Sequence, residues 1–243
     1  MTRNMPQRDV SIVIPVYNEE GSIKPLVSEL REVLEGIKKS FEIIFVDDGS
    51  RDRSFTILKE AASHDPRIRV IRFRRNAGQT AAFDAGFRAA QGDIVVTMDA
   101  DLQNDPHDIP RLLGKIGGFD VVCGWRHRRR DPWIKIVSSQ IANFVRNKLS
   151  REEIADTGCS LKAFRRECLK NMKLFNGMHR FLPTLAKMEG FTVTQVKVNH
   201  RSRRFGRTKY NIRNRMVRAF ADLLAVRWMK KRNLTYDVKE TIR

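Results

Sequence analysis

Cysteine is scarce in this sequence: only Cys123, Cys159 and Cys168 occur, widely spaced. An odd count with no C-x-x-C pair excludes a disulfide framework and points to a reducing compartment. Long apolar runs are missing too, since none approaches the roughly 18 to 20 residues a membrane span needs. Met1 to Asp9 is polar and leads straight into an apolar run, unlike a signal peptide. G-x-x-x-x-G-K-[ST] and G-x-G-x-x-G are both absent, which argues against a P-loop ATPase and a dinucleotide dehydrogenase. Acidic charge is in deficit, with 28 Asp+Glu against 47 Lys+Arg and a net charge of +19.

What is present is enough for a folded domain. Hydrophobic residues make up 41% of the 243, too many for a disordered polybasic chain. The charge is unevenly placed. Residues 1–120 hold 17 Lys+Arg and 19 Asp+Glu, whereas residues 121–243 hold 30 and 9. A near-neutral half joined to a dense cation implies an anionic partner: nucleic acid, a phosphorylated substrate or an acidic membrane surface.

Short β-branched runs alternate with helical patterns in the first half. Val10–Val16, Phe41–Val46, Ile68–Phe73 (broken by Arg69 and Arg72), Ile94–Met98 and Phe119–Cys123 read as buried parallel strands. Ile23–Ile37, Asp52–Ala62, Gln79–Ala90 and His107–Ile116 read as helices between them. This alternation predicts a doubly wound, mostly parallel α/β sheet, in which ligands bind beyond the carboxyl ends of the strands. Carboxylates stand at three such ends: Glu19, Asp47-Asp48 and Asp99/Asp101. In the second half, Trp133–Leu149 and Met178–Met188 read as helices and Ser160–Phe164 and Phe191–Val198 as strands. His200–Tyr210 reads as a basic loop. The expected organisation is a tail at 1–9, one domain over 10–210, a basic amphipathic helix over 211–232, and a tail at 233–243.

Asp99-Ala100-Asp101-Leu102-Gln103 follows an apolar strand. Two carboxylates two residues apart can share a hard divalent cation, Mg²⁺ or Mn²⁺, with Gln103 as a further oxygen donor and phosphate oxygens completing the shell. An isolated Asp-x-Asp is more often a solvated turn or helix cap, so its surroundings matter. Tyr17 is placed to lie against a nucleobase, and Glu19 and Asp48 to accept hydrogen bonds from base N–H or ribose hydroxyls. The Asp47–Ser50 segment also suits a tight turn, with Ser50 or Asp52 capping the next helix.

Together, Pro15–Glu19, Asp47–Ser50, Asn76-Ala77-Gly78-Gln79 and Asp99–Gln103 resemble the family 2 glycosyltransferases, a large inverting group with a GT-A fold. The later residues resemble its dolichyl- or polyprenyl-phosphate branch, typified by dolichol-phosphate mannose synthases. The resemblance runs over about residues 10–228. It implies that Pro15, Tyr17, Glu19, Val46 and Asp48 hold the nucleotide. It implies that Asp99, Asp101 and Gln103 carry the metal and diphosphate, with Ala100 against the donor. Arg203-Arg204-Phe205-Gly206-Arg207-Thr208-Lys209 matches the branch's Arg-x-x-Gly-x-Ser-Lys loop, with Thr208 for Ser. Arg203 and Lys209 would close over the donor phosphates.

The same resemblance implies an acceptor site. Ser139-Gln140-Ile141-Ala142-Asn143 matches Ser-x-x-Ala-Asn, and Arg126, Lys135 and Ser139 fall at the lipid-phosphate positions. Lys135 stands where Arg is usual, keeping the charge and losing the bidentate fork. Positions 135 and 139 are i, i+4 and share a helix face. Asp156 would sit near the reacting centre, orienting the acceptor or acting as base. A strong base is dispensable for a phosphomonoester, whose second pKa is about 6; an alcohol needs one. The implied reaction is inverting transfer from a UDP- or GDP-sugar to undecaprenyl or dolichyl phosphate, with Asp156, Arg126 and Asp101 at the catalytic centre. A GT-A enzyme acting on a glycan or glycolipid hydroxyl is the nearest alternative.

The final helix carries Ile212, Met216, Val217, Phe220, Leu223, Leu224 and Trp228 on one side, with Arg213, Arg215, Arg218, Arg227, Lys230 and Lys231 largely elsewhere. Such a helix either completes the core or lies in an anionic membrane interface. The branch often carries transmembrane helices beyond this point. Their absence here implies peripheral attachment at the cytoplasmic face, directly or through an integral membrane partner. A nucleic-acid partner is disfavoured, because no helix-turn-helix, zinc finger or RNA-stacking motif is evident.

Overall fold

Apolar runs flanked by amphipathic helices become strands buried on both faces. The computed structural model describes residues 8–126, 154–205, 212–234 and 239–241, with backbone only over 212–220. In it β1 (Arg8–Val16), β2 (Phe41–Asp47), β3 (Ile68–Arg72) and β4 (Gly92–Thr97) pair in parallel. Helices α1 (Glu20–Gly36), α2 (Ser54–His64) and α3 (Gln79–Ala89) connect them. Three further strands, β5 (Val121–Arg126), β6 (Lys162–Arg165) and β7 (Val193–Val198), extend the sheet to the order β3-β2-β1-β4-β6-β5-β7. β6 runs antiparallel to both neighbours, while β5 and β7 pair in parallel. The sheet is thus mostly parallel with one reversed strand, an α/β fold as expected.

Alternation along β1 builds two cores. Val10, Ile12, Ile14 and Val16 face a cluster that includes Leu26, Leu30, Phe45, Met98 and Leu112. Val13 faces the opposite cluster with Ile44, Phe83, Phe164 and Leu182. Arg69, which interrupts its strand in the sequence, is explained by buried Glu42, 2.8 Å away. Glu42 also accepts from Ser11 Oγ at 2.7 Å, so the polar group inside the sheet is satisfied.

The remaining helices are α4 (Ile109–Ile116), α5 (Glu167–Lys170), α6 (Leu182–Met188) and α7 (Ile212–Lys231). Several boundaries differ from expectation. His107–Ile116 divides into a 3-10 turn at Pro106–Asp108 followed by α4. Met178–Met188 likewise splits into a turn at Met178–Arg180 and α6, with Pro183 in the first turn of the new helix. β5 begins at Val121, not Phe119, because Asp120 is held by the Thr192 N–H (2.8 Å) and hydroxyl (2.6 Å).

The single apolar side drawn for α7 is two sides. Leu223 and Val226 are buried against Met178, Phe181 and Leu185, whereas Leu224 is 46% and Trp228 64% exposed. Neighbours on a helix are about 100° apart, so a docked stripe through 223 and 226 leaves 224 and 228 outside. Trp133–Leu149 and Gly206–Tyr210 lie outside the described residues.

Candidate active site

Parallel register aligns the ends of three strands. Val16 pairs with Asp47 and Val13 with Thr97, so Tyr17–Glu19, Asp48–Ser50 and Asp99–Gln103 emerge at one sheet edge. Side-chain bonds join the first two loops. Asn18 N–H donates to Ser50 Oγ (3.0 Å), Arg51 N–H to Asn18 Oδ1 (2.8 Å) and Glu19 N–H to Ser54 Oγ (2.8 Å). Asp52, rather than Ser50, closes the turn ahead of α2 by accepting from the Ser54 N–H at 2.9 Å.

Asp48 organises a third loop. Its carboxylate accepts from Ala77 N–H (2.7 Å), Gly78 N–H (3.0 Å) and Asn76 Nδ2 (2.9 Å). Burial raises its pKa, against the pull of the Ala77 and Gly78 N–H groups. Gly49 has φ +71°, and a Cβ there would stand 2.6 Å from the Arg75 carbonyl carbon. Only glycine allows this approach. A cavity of about 510 Å³ opens here, with Tyr17, Phe73, Arg51, Arg74 and Arg75 in its wall. Those three arginines form no ion pair among the described residues. Pro15 and Glu19 border the same edge half-buried, but the side chains of Val46 and Ala100 are inside the core, leaving only their main chain for a ligand.

The Asp99–Asn104 loop is shaped by strain and hydrogen bonds. Buried Leu102 has φ +62°, which reverses the chain between Asp101 and Gln103 at a cost of about 1 kcal/mol or more. Asp99 accepts from Gln79 Nε2 at 2.7 Å. Its N–H donates to Asn104 Oδ1, which also accepts from Ser160 Oγ at 2.7 Å. Asp101 accepts from the Gln103 N–H (3.1 Å) and from Arg203 Nη2 (2.6 Å). Burial first, and the Asp101 charge second, push the Asp99 carboxyl up to about 6.

Two neighbouring carboxylates, Asp101 buried and Asp99 half-buried, call for a cation, and a guanidinium already stands against Asp101. The donors are all hard oxygens, which suits Mg²⁺ or Mn²⁺. No group of three or more His, Cys, Asp or Glu forms a closed metal cage among the described residues. A two-carboxylate site completed by substrate phosphates is the usual magnesium arrangement.

Next to this loop, Arg126 at the end of β5 makes a two-pronged contact with Asp156: Nε to Oδ2 at 2.7 Å and Nη2 to Oδ1 at 2.9 Å. Their side chains are only 14% and 5% exposed. Arg126 and the buried Lys162 also act on Asp99 electrostatically. The Lys162 ammonium donates to the Cys159 carbonyl. The structure thus gathers Asp99, Asp101, Arg126, Asp156 and Arg203; Lys135, Ser139 and Lys209 lie outside the described residues.

The sequence reading gave no role to Gln79, Asn104, Ser160 or Lys162. The signal for Lys162 was present: a charged residue between Leu161 and Ala163 in an apolar strand is either paired or functional. The three cysteines are buried thiols. Burial pushes Cys123 and Cys168 up to about 12 and Cys159 to about 11, leaving them protonated and unreactive.

Residues 11–172 match the model of "Glycosyl transferase family 2". The undecaprenyl-phosphate 4-deoxy-4-formamido-L-arabinose transferase of Salmonella choleraesuis (strain SC-B67) is 38% identical over 221 residues, 90% of this chain and 67% of that protein. The protein of the same description from Salmonella newport (strain SL254) matches to the same extent, 38% over 221 residues. Glucosyl-3-phosphoglycerate synthase from Mycobacterium tuberculosis, in complex with Mn²⁺, UDP and phosphoglyceric acid, superposes with TM-score 0.70 at 20% identity, covering 94% of this chain and 80% of that one. At that identity the likeness shows the shared fold. With its mostly parallel sheet, its carboxylates at the strand ends and a family match over most of its length, the chain belongs to glycosyl transferase family 2 and is a glycosyltransferase of GT-A fold.

Proposed function

We propose that this chain transfers a sugar, with inversion, from a UDP- or GDP-linked donor to a polyprenyl phosphate of the undecaprenyl or dolichyl class at a membrane surface. The observation that carries this is the proximity of two phosphate-directed centres. The Asp99/Asp101 pair suits a metal-bound diphosphate, and Arg126, within electrostatic reach of Asp99, suits a second phosphate. The relatives' substrate, an undecaprenyl phosphate by their description, supports the acceptor class.

Each residue then has a task. Pro15, Tyr17, Glu19 and the Asp48-ordered loop border the base and ribose, with the main chain of Val46 and Ala100 alongside. Asp99, Asp101 and Gln103 would hold Mg²⁺ or Mn²⁺, which when bound neutralises charge on the departing diphosphate. Arg203 and Lys209 add cationic charge on the same group. Arg126, Lys135 and Ser139 hold the acceptor phosphate, and Asp156 orients Arg126. A phosphate oxygen bonds to the anomeric carbon as the bond to the nucleotide diphosphate breaks on the opposite face. An ionised phosphomonoester needs no strong base, so positioning and charge stabilisation account for the rate.

Attachment to the membrane is peripheral, at the cytoplasmic face, directly or with an integral membrane partner. Among the described residues no helix is long and apolar enough to cross a bilayer. Exposed Leu224 and Trp228 stand beside exposed Arg227, Lys230, Lys231 and Arg232, a pattern suited to an anionic interface.

The test is direct. The protein is incubated with labelled UDP- and GDP-sugars, Mg²⁺ or Mn²⁺, and undecaprenyl phosphate in anionic vesicles. An acid-labile, organic-soluble glycolipid is expected with one donor class. Transfer to a sugar hydroxyl with no glycolipid formed would favour the alternative acceptor and overturn this reading.

A further inference from the structure

The segment 199–205 is strapped over the metal side of the site. Asn199 N–H donates to Asp108 Oδ2 (2.6 Å), His200 bridges to Asn104, and Arg201 N–H donates to the Gln103 carbonyl (2.9 Å). The Arg201 guanidinium spans Glu29 on α1 (2.6 Å) and Asp105 (2.7 Å). Two residues past Arg203, the Phe205 ring lies against Gly21, where a Cβ would come within 3.1 Å of it. Arg203 is therefore held from both sides, and its Nη2 is delivered to Asp101 Oδ2 at 2.6 Å.

That oxygen belongs to a carboxylate already assigned to the divalent ion. Asp101 shares its loop with Asp99, and two neighbouring carboxylates without a cation repel each other. A guanidinium on one of them relieves the repulsion with a charge-assisted hydrogen bond. A divalent ion on the same carboxylate would have to compete with it. We propose that Arg203 is a resident counter-cation at the metal position: it neutralises Asp101 in the metal-free enzyme and passes to the donor diphosphate when the site loads.

The inference rests on the reading that Asp99 and Asp101 take the ion. Metal binding without nucleotide is weakened by the need to displace Arg203. With nucleotide present, the displaced guanidinium, still tethered through Arg201 and Phe205, gains a phosphate to pair with. Metal and nucleotide then strengthen each other's binding by a common factor. Loss of Arg203 therefore has opposite effects in the two states.

The experiment measures Mn²⁺ binding by the paramagnetic resonance signal of free Mn²⁺. It uses the full chain, wild type, R203M and R203K, without nucleotide and with UDP or GDP. Without nucleotide, R203M is expected to bind Mn²⁺ about five- to tenfold more tightly, the scale of one partly exposed charge-assisted pair. With nucleotide, R203M is expected to bind it more weakly than wild type. R203K, which keeps the charge without the fork, falls between, and carries the test if R203M does not fold. A nucleotide-free affinity within twofold of wild type overturns the proposal while leaving the metal reading intact. Tightening of equal size in both states also overturns it, since simple charge repulsion would produce that. Absence of Mn²⁺ binding in wild type and variants alike overturns both.

Discussion

Replacing Asp156 with asparagine would keep the size of the side chain and remove the charge facing Arg126. The pair is bidentate, at 2.7 and 2.9 Å, and both partners are largely buried. Removing one partner of such a pair costs roughly 3 to 5 kcal/mol when the other charge is left stranded. Asparagine retains one acceptor, and the edge of the site is partly open, so about 2 kcal/mol is expected. With a urea m-value of about 3 kcal/mol/M, that is a midpoint shift of roughly 0.7 M. The apparent KM for the acceptor should rise, because Arg126 loses the group that aims it. The double variant R126M/D156N removes both charges of the pair and should recover at least about 1 kcal/mol of the summed single losses. Strictly additive losses would refute the coupling. A D156N enzyme with normal stability and normal acceptor KM, but a collapsed kcat restored only at high pH, would show that Asp156 is a base.

Other outcomes can be checked separately. D101A should abolish transfer while the nucleotide-free fold persists in circular dichroism; near-normal turnover would remove Asp101 from the metal assignment. Asp99 titrates near 6 in the fold against about 3.9 unfolded. Since its pKa is raised, it favours folding below pH 4, and that advantage is lost as pH rises through about 6. EDTA-treated protein should therefore lose on the order of 2 kcal/mol between pH 4 and 7, read by denaturant melts, and saturating Mn²⁺ should flatten the slope. G49A should destabilise by more than about 2 kcal/mol, because both the φ of +71° and the 2.6 Å approach forbid a Cβ; an unchanged melting point would contradict the packing of the Arg75 loop. L224E/W228E should cut sedimentation with anionic vesicles about tenfold at unchanged stability, whereas L223E/V226E should unfold the C-terminal region. Equal vesicle binding by L224E/W228E and wild type would dispose of the proposed membrane face.

The strands of the first half were readable because buried parallel strands leave continuous β-branched runs, and the family motifs sit where those runs stop. Sequence could not show that β6 is reversed, since a short run such as Lys162–Arg165 carries no direction. Nor could periodicity tell which stripe of α7 docks: Leu223 and Leu224 are chemically alike, and only the Met178–Phe181 cluster distinguishes them. Asp48 was legible as a ligand-side carboxylate, but its three donors from Asn76–Gly78 are contacts between distant loops. The same holds for Gln79 on Asp99 and for the strap that places Arg203. Motif spacing identifies which groups meet; the tertiary fold decides which of them are already in contact before any substrate arrives.

The reversed strand also separates two kinds of change. β5 ends at Arg126 on the edge where β4 delivers Asp99, and β6, running the other way, starts from that same edge. Arg126 and Asp156, on either side of the segment 127–153, are paired at this edge. The β4–β6 register and the bonds that order the nucleotide loops are made by residues outside that segment. Grafting it from a relative with a different acceptor should accordingly transplant acceptor choice while donor choice stays with the host.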